Sequence, residues 1–211
     1  GGIGATLNTA FDRYEYDSAG RLVKTTRAFG TTEVRSIVAR YDLQGRLTGE
    51  LSAEGAALLT GGQTQAQIDA VWTQHGVHHT YDAAGRRTST TNALGHRSFF
   101  FYNVDGQLTH TVNALGEVEE HRYNTLNQLE ATTRYGTRIS TSGLTGGIVS
   151  TTLTNALNAV RNAALDSTTT YTYNVAGRMA GVADALGFTT SVGYNAFGEE
   201  VTRTQSIDAS R

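Results

Sequence analysis

The sequence predicts an all-β fold in which antiparallel β-hairpins form a curled sheet, with two short helices inserted between hairpins. Two observations lead to this prediction. One seven-residue phrase occurs seven times along the 211 residues. Short runs rich in Thr, Val, Phe and Tyr, residue types typical of strands, lie between the copies. An internal repeat of this kind decides the architecture before any single residue is considered.

The phrase consists of an aromatic residue, an acid or its amide, two variable residues, a turn-forming residue, a long polar residue and usually an aliphatic one. Its copies read YDSAGRL from Tyr16, YDLQGRL from Tyr41, YDAAGRR from Tyr81, YNVDGQL from Tyr102, YNTLNQL from Tyr123, YNVAGRM from Tyr173 and YNAFGEE from Tyr194. Successive tyrosines lie 25, 40, 21, 21, 50 and 21 residues apart. The basic unit is therefore 21 residues long, and the longer gaps contain insertions.

Each unit is expected to contain two turns and two strands. Asp or Asn followed three residues later by Gly is typical of a turn. The Asp or Asn side chain can accept hydrogen bonds from the nearby backbone, and Gly readily adopts a positive φ. In the fifth phrase Asn127 replaces the glycine, and Asn is the residue that best tolerates this conformation after Gly. A second landmark lies fourteen residues after the tyrosine, at Gly30, Gly55, Gly95, Gly116 and Gly187.

Seven such units give about fourteen strands, which include extended runs at 97–102 and 188–194. A sheet that wide must twist, curl or close. The residues that define the repeat are expected to be structural. They are Tyr16, Asp17, Gly20, Arg21, Tyr41, Asp42, Gly45, Tyr81, Asp82, Gly85, Tyr102, Asn103, Gly106, Tyr123, Asn124, Asn127, Tyr173, Asn174, Gly177, Tyr194, Asn195 and Gly198.

The two long insertions, at about 56–76 and 138–166, each predict a helix. In the first, Thr64 and Gln67 form a capping-box pattern. The residues that would share its apolar face are Ile68, Val71, Trp72 and His75. The corresponding residues of the second helix, which would start at Ser150, are Val149, Leu153, Leu157, Val160 and Ala164. Either the helices pack on the sheet and cover its apolar surface, or they close an opening or contact an enclosed molecule.

Composition excludes several classes of function. The chain has no cysteine, which excludes disulfides and thiolate metal sites. It has no proline, which suits a chain of paired strands that needs its amide donors. A net charge of −2 argues against a nucleic-acid-binding surface. No apolar run approaches the roughly 20 residues of a membrane-spanning helix.

The candidate sites for chemistry are weak. His75, His78 and His79 form a cluster, but adjacent strand residues point to opposite faces, so His78 and His79 cannot bind one metal ion. The same argument separates the carboxylates of 119–120 and of 199–200, which we interpret as solvated strand acids.

Three aspartates and four arginines recur with the phrase. Asp17, Asp42 and Asp82 would suggest calcium, but Asn replaces them in the other phrases and turn capping explains both residue types. The arginines are Arg21, Arg46, Arg86 and Arg178. A row of arginines could bind an anionic sugar, although a local ion pair with the turn aspartate is the simpler interpretation. We find no Walker loop, dinucleotide fingerprint, nucleophile elbow or HExxH motif. We therefore predict no enzyme activity, no metal and no cofactor.

The phrases YDSAGRL, YDLQGRL and YDAAGRR, followed about a dozen residues later by NALG, closely resemble the YD repeats of bacterial Rhs proteins. The same repeats occur in the C component of insecticidal Tc toxins and in animal teneurins. The resemblance covers nearly the whole chain outside the two insertions. It implies a β-sheet that spirals into a hollow shell and, in the bacterial members, a shell that encloses a toxic C-terminal polypeptide before delivery to a target cell.

From the resemblance we expect residues 1–211 to be a single segment of such a shell wall. Seven units are fewer than complete family shells contain, and the chain starts at Gly1. It implies as partners the remainder of the shell and the enclosed toxin, and secretion or delivery by a bacterial secretion system as localisation. Bacterial shells usually close with an Asp-Pro-x-Gly-Leu self-cleavage signature, which this proline-free chain lacks. The alternative function is a YD-repeat surface that binds carbohydrate or another protein.

Overall fold

A computed structural model describes residues 10–207 of the chain. The chain divides into two compact units, Gly1–Arg97 and Ser98–Arg211, which we call unit 1 and unit 2. Within the described residues the fold consists of antiparallel hairpins with short helices between them. The predicted all-β fold of antiparallel hairpins with inserted helices is confirmed.

The described part of unit 1 contains six antiparallel strands in sequence order and two helices. The elements are β1 (Phe11–Tyr16), β2 (Leu22–Phe29), β3 (Arg35–Tyr41), β4 (Leu47–Leu51), α1 (Ala53–Ala57), α2 (Gln65–His75), β5 (Gly76–Tyr81) and β6 (Arg87–Thr91). Each strand pairs with the next one along the chain. Most connections between neighbouring strands are turns of a few residues, which allow only an antiparallel hairpin, whereas β4 and β5 are joined through α1 and α2.

Up to residue 207, unit 2, which starts within β7, adds eight antiparallel strands and one short parallel strand. The elements are β7 (Arg97–Tyr102), β8 (Leu108–Val112), β9 (Val118–Tyr123), β10 (Leu129–Arg134), β11 (Gly147–Ile148), α3 (Thr151–Val160), β12 (Ser167–Tyr173), β13 (Met179–Ala183), β14 (Phe188–Tyr194) and β15 (Glu200–Ile207). β11 pairs in parallel with β7, and the other strands follow one another in sequence order. The strands predicted at 97–102 and 188–194 are β7 and β14 with the same bounds.

The helix predicted in the first insertion is α2. Thr64 accepts a hydrogen bond from the N–H of Gln67, and the Gln67 side chain accepts one from the N–H of Thr64, so the capping box is formed. Trp72 is 3% exposed and packs with Leu51 in the core of unit 1. This helix therefore covers its own sheet, as the first of the two interpretations predicts.

The second predicted helix is shorter than its sequence pattern indicated. α3 is capped by Ser150, and its Leu153 and Leu157 pack into the core of unit 2 against Phe101. Val149 lies before the helix, where its N–H donates to the carbonyl of Tyr102, the last residue of β7. Ala164 lies after it, because Arg161 at the C-cap leaves the helical region with ψ 122.

One predicted turn is also wrong. Gly55 was expected to lie in a turn but lies in α1, where it is buried. A Cβ at this position would stand 2.8 Å from the Leu51 side chain and 2.9 Å from that of His75. Glycine is therefore required here by the close packing of α1 rather than by a positive φ.

Candidate functional site

The seven copies of the phrase form the most extensive set of recurring side-chain contacts in the described part of the chain. In each copy the second residue caps the turn. Asp42 Oδ1, for example, accepts from the backbone N–H of Gln44 at 3.0 Å and of Arg46 at 2.9 Å. The contact to the residue four positions on recurs at Asp17, Asp82, Asn103, Asn124, Asn174 and Asn195.

The fifth residue of the phrase supplies the left-handed position of the turn. Asn127 has φ 62 and is one of two described non-glycine residues with positive φ, the other being Ala28. In the other six phrases the residue is glycine with φ between 76 and 83: Gly20, Gly45, Gly85, Gly106, Gly177 and Gly198. Only Gly and, less readily, Asn adopt this conformation at low cost.

In the phrases that begin at Tyr16, Tyr41, Tyr102 and Tyr123 the sixth residue, Arg or Gln, reaches the next hairpin. Arg21 Nε donates to its own Asp17 at 2.7 Å, while its Nη1 donates to the backbone carbonyl of Asp42 at 2.6 Å. Arg46 repeats the pattern, with 2.6 Å to its own aspartate and 3.1 Å to the carbonyl of Asp82. Each of these two arginines therefore forms the local ion pair expected from the sequence and also donates to a carbonyl of the next hairpin.

These contacts affect the turn carboxylates. Hydrogen bonds from the N–H and guanidinium of Arg21 lower the pKa of Asp17. For Asp42 partial burial would raise the pKa, but the hydrogen bonds from Arg46 outweigh it and the pKa is lowered. The capping carboxylates are thus stabilised in their charged, hydrogen-bond-accepting form.

In five of the phrases the tyrosine contacts the hairpin that precedes it. Tyr41 donates its hydroxyl hydrogen to the carbonyl of Leu22 at 3.0 Å, and Tyr81 donates to that of Leu47 at 2.7 Å. The same bond to the seventh residue of the preceding phrase joins Tyr123 to Leu108, Tyr173 to Leu129 and Tyr194 to Met179 at 3.0, 2.9 and 2.8 Å. Tyr102 and Asn103 are also engaged in contacts.

We call this recurring set, the tyrosine bond to the preceding hairpin and the Arg or Gln bond to the following one, the turn network. The stacking of arginine on tyrosine reinforces it: the Arg46 guanidinium carbon lies 4.8 Å from the Tyr81 ring centroid. The network is not evident from any phrase taken separately, because its bonds join residues of different phrases. A tyrosine that recurs with a long polar residue at a fixed repeat distance was the signal available.

The histidines of the predicted cluster have separate partners. His78 Nε2 lies 2.8 Å from the carbonyl of Trp72, whereas His79 Nδ1 lies 3.0 Å from Thr90 Oγ1. Burial lowers the pKa of His79. Among residues 10–207 no group of three or more His, Asp or Glu side chains is arranged to hold a metal ion.

The paired glutamates also diverge. Glu119 binds Arg134 at 2.9 Å, and Glu120 accepts the hydroxyl of Tyr135 at 2.6 Å. At the other pair, Glu199 accepts from Asn195 and Glu200 from Arg203. Each of the four carboxylates thus has a neighbour of its own within the described chain.

A partly buried polar cluster in unit 2 was not predicted from the sequence. Arg161, at the end of α3, donates to the Tyr135 hydroxyl at 2.7 Å and to Glu120 at 3.0 Å. Burial and the bond to Glu120 raise the pKa of Tyr135 to about 12. His110 lies with its Nε2 4.0 Å from the same glutamate, and burial lowers its pKa. The cluster fixes the end of α3 to the sheet, and it borders an open cleft of about 800 Å³.

Comparison with known proteins gives only distant structural similarity. No family model matches the chain, and no curated protein matches it. Within the described residues no helix is long and apolar enough to cross a membrane.

Several solved structures are similar to the chain over most of its length. The crystal structure of TcdB2-TccC3-Cdc42 is 15% identical over 94% of this chain and 12% of that chain, with a TM-score of 0.44. The crystal structure of TcdB2-TccC3 is 12% identical over 94% and 12%, with a TM-score of 0.41. A porin-like protein from Bacteroides uniformis is 16% identical over 94% and 91%, with a TM-score of 0.28. The present chain spans 12% of the length of the TcdB2-TccC3 chains.

Proposed function

We propose that this chain is a segment of a shell wall that encloses a toxic polypeptide for delivery to a target cell, as implied by the resemblance of its phrases to bacterial Rhs repeats. The turn network is the observation that carries the proposal. Within each unit it joins neighbouring hairpins through side chains that the repeat supplies.

The network favours a wall over a binding site because it engages the polar groups that a ligand would need. Arg21 and Arg46 use their guanidinium groups on their own aspartates and on the next turn. The tyrosine hydroxyls donate to main-chain carbonyls. The role we propose is therefore structural and non-catalytic, with the remainder of the shell and the enclosed polypeptide as partners.

The alternative is a YD-repeat surface that binds carbohydrate or another protein. Its best candidates are the arginine side chains of Arg86 and Arg178. A glycan array that loses its signal when both become Ala would favour this alternative. Secretion, or delivery by a bacterial secretion system, is common to both proposals.

Limited proteolysis of the full-length gene product tests enclosure. We expect the enclosed polypeptide to resist protease while the wall is intact. It should be cut faster in the double variant Tyr41→Phe/Tyr81→Phe, which removes two bonds of the network. Tyr16→Phe is the matched control, because among residues 10–207 no acceptor binds the Tyr16 hydroxyl. A polypeptide cut as fast in the intact protein as after denaturation would show that enclosure is wrong.

A further inference from the structure

The polar cluster at the end of α3 joins two parts of unit 2 through one carboxylate. Glu120, on β9, accepts through Oε2 from the Tyr135 hydroxyl at 2.6 Å and from Arg161 Nη2 at 3.0 Å. Its other oxygen, Oε1, lies 4.0 Å from Nε2 of His110 on β8. Glu120 is therefore shared between His110 in the sheet and Arg161 in the inserted segment of residues 135–166, which we call the α3 segment.

His110 is a titratable side chain enclosed by its neighbours. It is 8% exposed, and its Nδ1 lies 3.0 Å from Thr109 Oγ1. The strands on its two sides, β7 and β9, place Phe101 and Glu120 opposite it. Histidine is the side chain whose ordinary pKa allows its charge to change between about pH 5 and 8.

A proton on His110 would add a cation beside an arginine. The ionisable groups that act on His110 are Glu120 and His121 on β9 and Arg161 at the end of α3. Burial lowers the pKa of His110 despite the opposite effect of Glu120, and the charge of Arg161 lowers it further. The proton therefore binds more tightly when the end of α3 moves away, because water then reaches the imidazole and the two cations separate.

We propose that His110 and Glu120 form an acid-sensitive latch, in which protonated His110 competes with Arg161 for Glu120 and the end of α3 separates from the sheet. The neutral His110 stabilises the closed latch above about pH 6.5, and this stability is lost as the pH falls through the folded-state pKa. Leu153, in the first turn of α3, is fully buried in the core of unit 2, so we expect opening to start at the other end of the helix. The latch does not depend on enclosure of a polypeptide.

Hydrogen–deuterium exchange of the 211-residue chain measures the opening. The N–H of Arg161 donates to the carbonyl of Leu157 at 2.9 Å, and such amides exchange only when the helix end opens. Between about pH 7.5 and about pH 5, the exchange rate of residues 157–166, divided by the intrinsic rate at each pH, should rise at least about tenfold, equivalent to about 1.4 kcal/mol. Strand β14 is the internal reference and should show no such rise.

Three variants distinguish the latch from a general loss of stability in acid. His110→Gln removes the titrating group and should abolish the rise. His96→Gln, the matched control at an exposed histidine, should leave the rise as in the wild type. Arg161→Gln removes the competing cation, so exchange of residues 157–166 should be fast at both pH values. Circular dichroism at both pH values establishes that each variant is folded.

The proposal is overturned if residues 157–166 of the wild type show no rise, if β14 rises equally, or if the rise persists in His110→Gln. If His110→Gln does not fold, Arg161→Gln decides, because its side chain is 54% exposed. A rise in that variant as large as in the wild type would equally overturn the latch.

Discussion

Replacing Tyr81 by Phe removes one hydroxyl from the junction between two hairpins of unit 1. The hydroxyl donates to the carbonyl of Leu47 at 2.7 Å, and the ring, which stacks on Arg46, is retained by Phe. A hydrogen bond of this kind contributes about 0.5–1.5 kcal/mol net. We therefore expect the free energy of unfolding of unit 1 to fall by about 1 kcal/mol.

Urea unfolding followed by the fluorescence of Trp72 measures this change. Trp72 is the single tryptophan of the chain, and it lies buried in α2 of the same unit. With m-values of about 1–3 kcal/mol/M, a loss of 1 kcal/mol lowers the midpoint by roughly 0.3–1 M. Tyr16→Phe removes a hydroxyl that has no acceptor among residues 10–207 and should leave the midpoint unchanged. Equal midpoints for the two variants would refute the role assigned to the tyrosine hydroxyls.

Three further changes test the packing, the turns and the buried histidine by the same unfolding assay. Gly49→Ala should destabilise by about 1–3 kcal/mol and alter the Trp72 emission spectrum, because its Cβ would lie 2.9 Å from the indole ring. Gly85→Ala should lower the free energy of unfolding by about 1–2 kcal/mol because of its φ of 81, since an added Cβ would meet no atom within 4 Å. At Gly61 an added Cβ would also meet no atom within 4 Å, so Gly61→Ala serves as the control and should leave the free energy of unfolding unchanged. Burial lowers the pKa of His110 below its usual 6.5, so the folded state binds a proton at this residue less readily than the unfolded state. The stability that the neutral His110 contributes is therefore complete above about pH 6.5 and is lost as the pH falls through the folded-state pKa. His110→Gln should make the stability less dependent on pH in this range; an unchanged pH profile would contradict that assignment.

Local structure was largely predictable from the sequence. The turns follow from Asp or Asn and a glycine three residues later, because a capping side chain and a positive φ involve only neighbours in the chain. The capping box at Thr64 defined the start of α2 for the same reason. Where the chemistry of a few adjacent residues decides the conformation, the repeated phrase was sufficient.

Contacts between hairpins were not predictable, because they depend on the register of strands distant in sequence. The Arg46 side chain reaches a carbonyl 36 residues away, across an insertion that hides the repeat distance. Gly55 follows the periodic landmark but lies in α1, since helix packing there overrides the turn pattern. The Tyr135 cluster arises only when the end of α3 meets the sheet.

The repeated phrase connects hairpins rather than forming seven separate sites. A high-resolution crystal structure of the chain measures this most directly, through the distances from the hydroxyls of Tyr41, Tyr81, Tyr123, Tyr173 and Tyr194 to the carbonyls of the preceding hairpins. We expect hydroxyl-to-carbonyl oxygen distances of 2.7–3.0 Å for all five tyrosines. Hydroxyls that face solvent or a bound ligand, with carbonyl distances beyond about 3.6 Å, would contradict it.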